Sequence, residues 1–412
     1  MSSILVISQV YPFPLHDGGR VDVFYRLRAL KSLGAKVTLL TFYNPAFGKP
    51  DVQPLIPYCE EIFPVPYLRR KLSKIFALRP YSVGSRENFS ELQIIQEHLQ
   101  SRCFDVIIAE SHHVLSVANY FREQLKVSKL ILRSHNNEPR FMFSLAQTSP
   151  LFSVQQAFFF VEALKYKLYE SKLLSFLQPQ DMLWHISFDE LARYKKKYPW
   201  ISQKFLPAAI EINKKRAIPR KGKAVLFIGA LFSPNNLQGL AWYLKHIHPN
   251  LISRYEDYTL LVAGNTKGVE KKKLANLFSG LRCFSFVDTP ENLEPYYENA
   301  SVFINPMRYG AGVKLKTVQA ALMGVPIVTT SCGNEGTGLQ DGKHLMVRDS
   351  AGDFFQAIAE IFANEKKGFA LASAAVDYLV KNYDQEKQLH ALLTPEPVRL
   401  LNEPQESSSF LS

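Results

Sequence analysis

Asn305-Pro306-Met307-Arg308-Tyr309-Gly310-Ala311-Gly312-Val313-Lys314-Leu315-Lys316 is the most informative stretch of this 412-residue chain. The apolar run SVFINP leading into it reads as a strand, and residues 314–323 after it read as a helix. In open α/β sheets, ligands lie beyond the carboxyl ends of the strands, so loops that follow strands carry the chemistry. The glycines let the backbone approach a ligand closely. A helix start offers free amides and the positive end of the dipole, which together suit an anion. Cations normally avoid that end. Lys314 and Lys316 in the first turn make sense if an anion docks between them, so Gly310, Gly312, Val313, Lys314 and Lys316 are the candidate anion site.

The next strand is PIVTT, followed by the glycine-rich loop CGNEGTG, which places Glu335 on the same side. Upstream, AVLFIGAL (224–231), DYTLLVAG and RCFSFV read as further buried strands, with a helix from about 237. The first half repeats the alternation. Residues 4–9 read as a strand, 20–33 as a helix with Val23, Leu27 and Leu30 on one face, and AKVTLLTFY as a second strand after Gly34. FDVIIAE (104–110) and KLILRSH (129–135) are further strands, 155–178 a long aromatic helix and 188–197 a basic helix. The loop after the first strand holds Asp17-Gly18-Gly19-Arg20 before a helix, a second candidate phosphate turn. Strands alternating with helices, twice over, predict an α/β protein of two doubly wound Rossmann-like domains facing across a cleft.

The expected organisation is a first domain over 1–207 and a polar, basic linker over 208–223 with Pro219. A second domain follows over 224–370, then a helix over 371–395 crossing back to the first, and a disordered tail over 396–412. The length fits two domains at roughly 150 residues each. Cys59, Cys103, Cys283 and Cys332 lie far apart, with no metal-ligand or redox spacing, as expected of thiols in a reducing compartment. The N-terminus lacks the basic head and long apolar core of a signal peptide, and no run approaches the roughly 20 apolar residues of a membrane span. A cytoplasmic protein is expected.

The net charge is +12, of which +9 falls in residues 1–210. A basic first half fits a phosphorylated substrate or an anionic membrane surface. In YLRRKLSKIFALR (67–79), Leu68, Leu72, Ile75 and Phe76 fall at helical spacing among five cations, which fits peripheral contact with the inner membrane face or a helix covering the sheet. No DNA- or RNA-binding module is present and the charge is diffuse, so nucleic acid is not an expected partner. No Asp-x-Asp pair stands ready to hold a metal.

The run NPMRYGAGVKLKTVQAALMGVPIVTTSCGNEGTGL resembles the nucleotide-sugar signature of the group 1 glycosyl transferases (family 4-like), enzymes of the GT-B fold. FIGALFSPNNLQGLAWYL and VDTPENLEPYYENASVFINP resemble the approach to it, and YPFPLHDGGRVDVFYRLRALKSLGAKVTLLT resembles the family's opening. RSHNNEPRF, YESKLL and HISFDELARY resemble later pieces, so the likeness spans most of residues 1–365.

The resemblance implies a retaining, metal-independent glycosyltransferase. It would take a UDP-, GDP- or similar nucleotide-sugar donor, need no cofactor, and act on a glycan or lipid-linked acceptor. It implies a donor contact for His135, and a diphosphate site built by Gly18, Gly19, Gly310, Gly312, Val313, Lys314 and Lys316. Many members carry two glutamates eight positions apart. The ribose-binding one falls here on Gln319, which can still hydrogen-bond a hydroxyl. The sugar-side one falls on Gly310 or Ala311. The Arg and Lys that commonly follow the first strand of the second domain are replaced by GALFSPNNLQG, leaving Lys314 and Lys316 to neutralise the diphosphate. Two other readings stay open: a nucleotide-sugar epimerase on the same fold, and a non-catalytic sugar-nucleotide-binding subunit of a glycan assembly complex.

Overall fold

The structure is a computed structural model that describes residues 2–15, 18–68, 78–212, 217–266, 269, 271–310 and 312–394. The basic stretch 69–77 and the tail from 395 onward, both subjects of expectations above, lie outside the described residues, as does Ala311.

Seven parallel strands form the first sheet: β1 (Ser3–Ser8), β2 (Lys36–Tyr43), β3 (Glu61–Pro66), β4 (Cys103–Glu110), β5 (Lys126–Ser134), β6 (Met182–His185) and β7 (Ser202–Phe205). Their order is β3-β2-β1-β4-β5-β6-β7. Six more form the second: β8 (Lys223–Ile228), β9 (Tyr258–Gly264), β10 (Phe284–Asp288), β11 (Val302–Asn305), β12 (Ile327–Thr329) and β13 (Met346–Val347), in the order β10-β9-β8-β11-β12-β13. Both are doubly wound Rossmann-like sheets, as the alternation predicts. In each, the chain runs outward one way, returns to the centre and runs outward the other way. The reversal leaves a crevice between β1 and β4, and another between β8 and β11.

The apolar strand runs follow from burial on both faces. Leu5 and Ile7 of β1 pack with Leu40, Phe104 and Leu130 on one side of the first sheet. Ile4 and Val6 pack with Val23, Leu27 and Leu30 of the helix Gly18–Ser32 on the other. In the second sheet, Val225 and Phe227 point one way and Leu226 and Ile228 the other. The sequence reading extends the strand at 224 through Leu231, but β8 stops at Ile228. Gly229 still donates to the Ala263 carbonyl at 3.1 Å before the chain turns toward the helix Pro234–His246. β3, β6, β7 and β13 had no counterpart among the expected strands.

The two halves share apolar contacts. Val21, Ile186, Ala208 and Ile210 pack in the same cluster as Phe303, Val318 and Leu379. The chain crosses between halves twice. The first crossing is the segment after Phe205. In the second, the helix Glu365–Asn382 packs on the helix Leu315–Leu322, and the helix Gln385–Leu393 lies against Gly18–Ser32, burying Leu389 beside Val23 and Leu27. No helix among the described residues is long and apolar enough to cross a membrane.

Candidate active site

The crevice between β8 and β11 is built from the signature segment. Asn305, the last residue of β11, donates through Nδ2 to Thr317 Oγ1 at 2.9 Å and to the Gly333 carbonyl at 3.0 Å. This ties the signature loop to the helix that follows it and to the turn after β12. Lys314 is the N-cap residue of the helix Leu315–Leu322. The Lys316 side chain reaches across the crevice, where Nζ donates to Asn236 Oδ1 at 2.7 Å and lies 4.9 Å from the centre of the Phe227 ring. Asn236 opens the helix Pro234–His246 after β8, the segment in which the family's Arg and Lys are missing. A cation from one side of the crevice thus reaches the segment on its other side. Burial, reinforced by the neighbouring Lys314, pushes the Lys316 amine down to about 7.

Lys314 is buried, and burial lowers its pKa as well. Its Nζ donates to the Gly312 carbonyl at 2.7 Å and lies 3.7 Å from Glu335 Oε2. It pins the glycine turn from beneath. Gly312 has φ of 79°, and a Cβ there would fall 2.1 Å from Asn136 Oδ1, so both backbone angle and space require glycine. Asn136 belongs to the loop after β5, in the other half. Gly18 likewise faces Leu315, where a Cβ would lie 2.8 Å from Cδ1. Gly18 and Gly312 therefore stand on opposite walls of one contact between the halves. An ion pair between Arg140 and Glu335 spans the same gap.

A cleft of 1210 Å³ opens beside this contact. Arg140, Phe143 and Arg193 line it from the first half, and Arg308, Gly310 and Glu335 from the second. Of the residues singled out by sequence, Gly310 and Glu335 line the cleft itself. Gly312, Lys314 and Lys316 do not line it; they adjoin it through Gly310, where a Cβ would lie 3.4 Å from Lys314 Nζ. Val313 and Gln319 are half-buried, Val313 packing into the shared apolar cluster. Gly19 follows Gly18 in the first turn of its helix. Sequence reasoning missed Arg140, Arg193 and Arg308 as cleft cations. All three sit inside quoted motifs, RSHNNEPRF, HISFDELARY and NPMRYGAG, so post-strand position was a usable signal.

His135 is not on the open cleft wall. It is buried in a charge network where β4, β5, the first helix and the segment after β7 meet. Its Nε2 lies 3.0 Å from Glu110 Oε2, and its Nδ1 lies 3.6 Å from Asp22 Oδ2. Arg26 binds Asp22 and, through Nε at 2.6 Å, Glu110. Arg133 Nη2 reaches Asp22 at 3.3 Å, and Asp22 also accepts from the Ala209 amide. Burial alone would raise both carboxyls, but Arg26 foremost, with His135, holds them well below the usual carboxylate range. Asp22, Glu110 and His135 could geometrically hold a metal ion. The two guanidiniums already neutralise those carboxylates, so the donor set fits an ion-pair network better than a metal centre.

Further polar groups gather at the ends of β4, β5 and β6. His112 is buried with neither ring nitrogen hydrogen-bonded among the described residues, and burial lowers its pKa. His113 Nε2 lies 3.2 Å from Glu138 Oε2. Asn137 caps the following helix, accepting from the Arg140 amide at 3.0 Å. Glu190 accepts from the Asn137 amide at 3.0 Å, and burial pushes its carboxyl up to about 7.

Comparisons with known proteins agree with this architecture. Residues 222–364 match the family model described as Glycosyl transferases group 1. An uncharacterized 44.6 kDa protein in the cps region of Klebsiella pneumoniae is 31% identical over 399 residues, spanning 94% of this chain and 98% of that protein. Among solved structures, sucrose-phosphate synthase from Thermosynechococcus elongatus is similar in fold, with a TM-score of 0.69 at 16% identity over 95% of this chain and 98% of that one. HepE of Anabaena, in complex with UDP-glucose, has a TM-score of 0.65 at 13% identity, covering 95% of this chain and 99% of that one.

Proposed function

The chain belongs to the group 1 glycosyl transferases, and we propose that it moves a sugar from a nucleotide-diphosphate donor to a glycan or lipid-linked acceptor with retention at the anomeric carbon. The observation that carries the reading is Lys316 on Asn236, across the crevice of the second sheet and beside a glycine turn closed against the other half. Pyrophosphate is the anion this geometry suits. It would displace the Asn236 contact, restore charge to Lys316 and accept from the backbone around Gly310 and Gly312. Lys314 adds a second positive charge beneath the same turn. HepE, similar in fold and seen with UDP-glucose, makes uridine donors the first to test.

In the reaction, the bond between the anomeric carbon and the diphosphate oxygen breaks, and its electron pair leaves with the diphosphate. The acceptor hydroxyl attacks from the same face, and its proton passes to the departing phosphate. Positive charge fixed near the leaving oxygens stabilises that step, a contribution often larger than any other in such catalysis. Protein cations take the place of a metal, so chelators should leave the rate unchanged. His135, held by Glu110 and Asp22, acts on this reading by positioning the loop after β5 that packs on Gly312. The basic first half and the stretch 67–79 suit peripheral contact at the cytoplasmic face of a membrane.

Thermal-shift titration with UDP, GDP and their sugars tests the donor site, because a ligand that binds only the folded state raises stability with log concentration. Nucleoside diphosphate release that depends on acceptor then tests transfer. No shift with any nucleotide would sink the reading. Gln319 and Gly310 or Ala311, in place of the family's two glutamates, favour one second reading, a sugar-nucleotide-binding subunit without turnover. Tight donor binding with no transfer to any acceptor would select it.

A further inference from the structure

The helices Glu138–Thr148 and Val154–Leu174 pack as a hairpin, and between them lies a trough of 530 Å³. Phe143, Ala146, Phe152, Ala157 and Phe160 make most of its wall. The polar atoms of Gln156 at its floor are already used: Nε2 donates to the Ala146 carbonyl at 3.3 Å, and Oε1 accepts from the Phe152 amide at 2.9 Å. A sugar or peptide would find few hydrogen bonds to replace those it leaves in water. The trough is continuous with the substrate cleft, because Phe143 and Gln147 line both.

The apolar surface does not end there. Phe152 is 99% exposed, with its backbone at φ of 57°, a region that residues other than glycine seldom occupy. Val154 is 82% exposed. Val154, Ala157, Val161, Leu164 and Leu168 follow at steps of three and four, an exposed apolar stripe along one face of the helix. It runs about 21 Å at 1.5 Å per residue. Single exposed apolar residues need no explanation, but a continuous band leading into a substrate cleft does.

We propose that this trough, with the stripe that continues it, binds the hydrocarbon chain of a lipid-linked acceptor. The inference rests on the glycosyl-transfer reading and names the acceptor class within it. A protein partner or second copy seated on the trough would cover Phe143 and Gln147, which also line the cleft. A chain extending from the reacting molecule uses that opening instead. Arg193, on the cleft wall, supplies a cation where the phosphate joining chain to sugar would pass.

The test uses the full chain and a fluorescent dodecanoate carrying an NBD group, whose emission rises in an apolar site. Saturable binding is expected. Phe160→Asp should weaken it by about tenfold or more, as a charge placed in an apolar site does. Phe152→Ser, at a fully exposed position that leaves folding intact, should weaken it measurably. Ile94→Ser, which removes an exposed apolar group on another surface, should not. Nucleoside diphosphate thermal shifts on the same samples should stay unchanged throughout. No saturable dodecanoate binding, or binding indifferent to both trough variants, overturns the proposal while an intact nucleotide shift leaves the donor reading standing. A dimer that Leu164→Glu splits without touching dodecanoate binding, or vesicle binding without dodecanoate binding, also overturns it. Dodecanoate binding by a protein that binds no nucleotide removes the donor reading and, with it, the chain's identification as an acceptor's.

Discussion

Replacing Lys316 with Met keeps the stem over Phe227 and removes the ammonium. The free protein holds this amine at about 7, against an ordinary value of 10.5. At pH 8 only about one Lys316 in ten is charged, whereas a bound diphosphate demands charge. Binding at pH 8 should therefore take up about 0.9 proton at this site, and at pH 6 about 0.1. Calorimetric titration of the nucleoside diphosphate in two buffers of different ionisation enthalpy measures that uptake. Lys316→Met should abolish it. A hydrogen bond to a charged group contributes about 1.5–3 kcal/mol, so affinity for the diphosphate should fall by roughly 10- to 150-fold. The nucleoside alone should bind as before. The unliganded protein should respond in the opposite sense. Between about 7 and 10.5 the unfolded chain binds the extra proton, so the cost of burying this lysine is greatest below pH 7 and is relieved as pH rises. The variant should melt higher than the parent at pH 7 without ligand. Equal diphosphate affinity in parent and variant, or no proton uptake at pH 8, would refute the reasoning.

Asp22→Ala strips Arg26 and Arg133 of a buried partner and should cost about 3–5 kcal/mol in chemical denaturation. Because the Asp22 and Glu110 carboxyls are held low in the fold, the parent should lose stability as pH falls below the ordinary carboxylate range of about 4, and the variant should show a shallower loss. Glu190, raised to about 7, works the other way: its share of stability fades as pH rises from about 4 to 7. Glu190→Gln should raise the melting temperature at pH 8 and change little at pH 5. Gly312→Ala must overcome φ of 79° and a clash with Asn136, so it should impair diphosphate-dependent thermal shifts while leaving the two sheets folded by circular dichroism.

The two-sheet architecture was legible because its central strands are apolar on both faces. ILVI at 4–7 and AVLFI at 224–228 announce themselves without any partner in view. The short outer strands were not. MLWH, next to the edge, and SQKF, at the edge, are four residues each, too short to show a period, and become strands only because β5 supplies a ladder for one and β6 for the other. The glycine turn and its lysines were visible as a local pattern. That Lys316 meets Asn236, 80 residues earlier, was not, since no local signal reports a contact of that separation. His135 shows the same limit from the other side. Its motif was readable, but its enclosure by Asp22, Arg26, Glu110 and Arg133 depends on residues from three elements, the helix Gly18–Ser32, β4 and β5. The exposed stripe on Val154–Leu174 was read as a long apolar helix. Which of its faces is covered depends on packing that the periodicity does not contain.

The two passages of the chain between its halves lie side by side. Gln385, where the last described helix begins, donates to the Pro207 carbonyl at 2.8 Å and receives from Arg26 at 3.4 Å. A body joined to another by a single strand can swing and twist in any direction. Two joins placed next to each other act as paired pins on one hinge, and the line through them is the axis that costs least to turn about. Displacement grows with distance from that line, so a rotation about Pro207 and Gln385 would be felt as a change in the gap that Arg140 and Glu335 span. A chain ending before Gln385 would keep both sheets but lose one pin, and the halves would then wander relative to each other rather than open and shut along a single path.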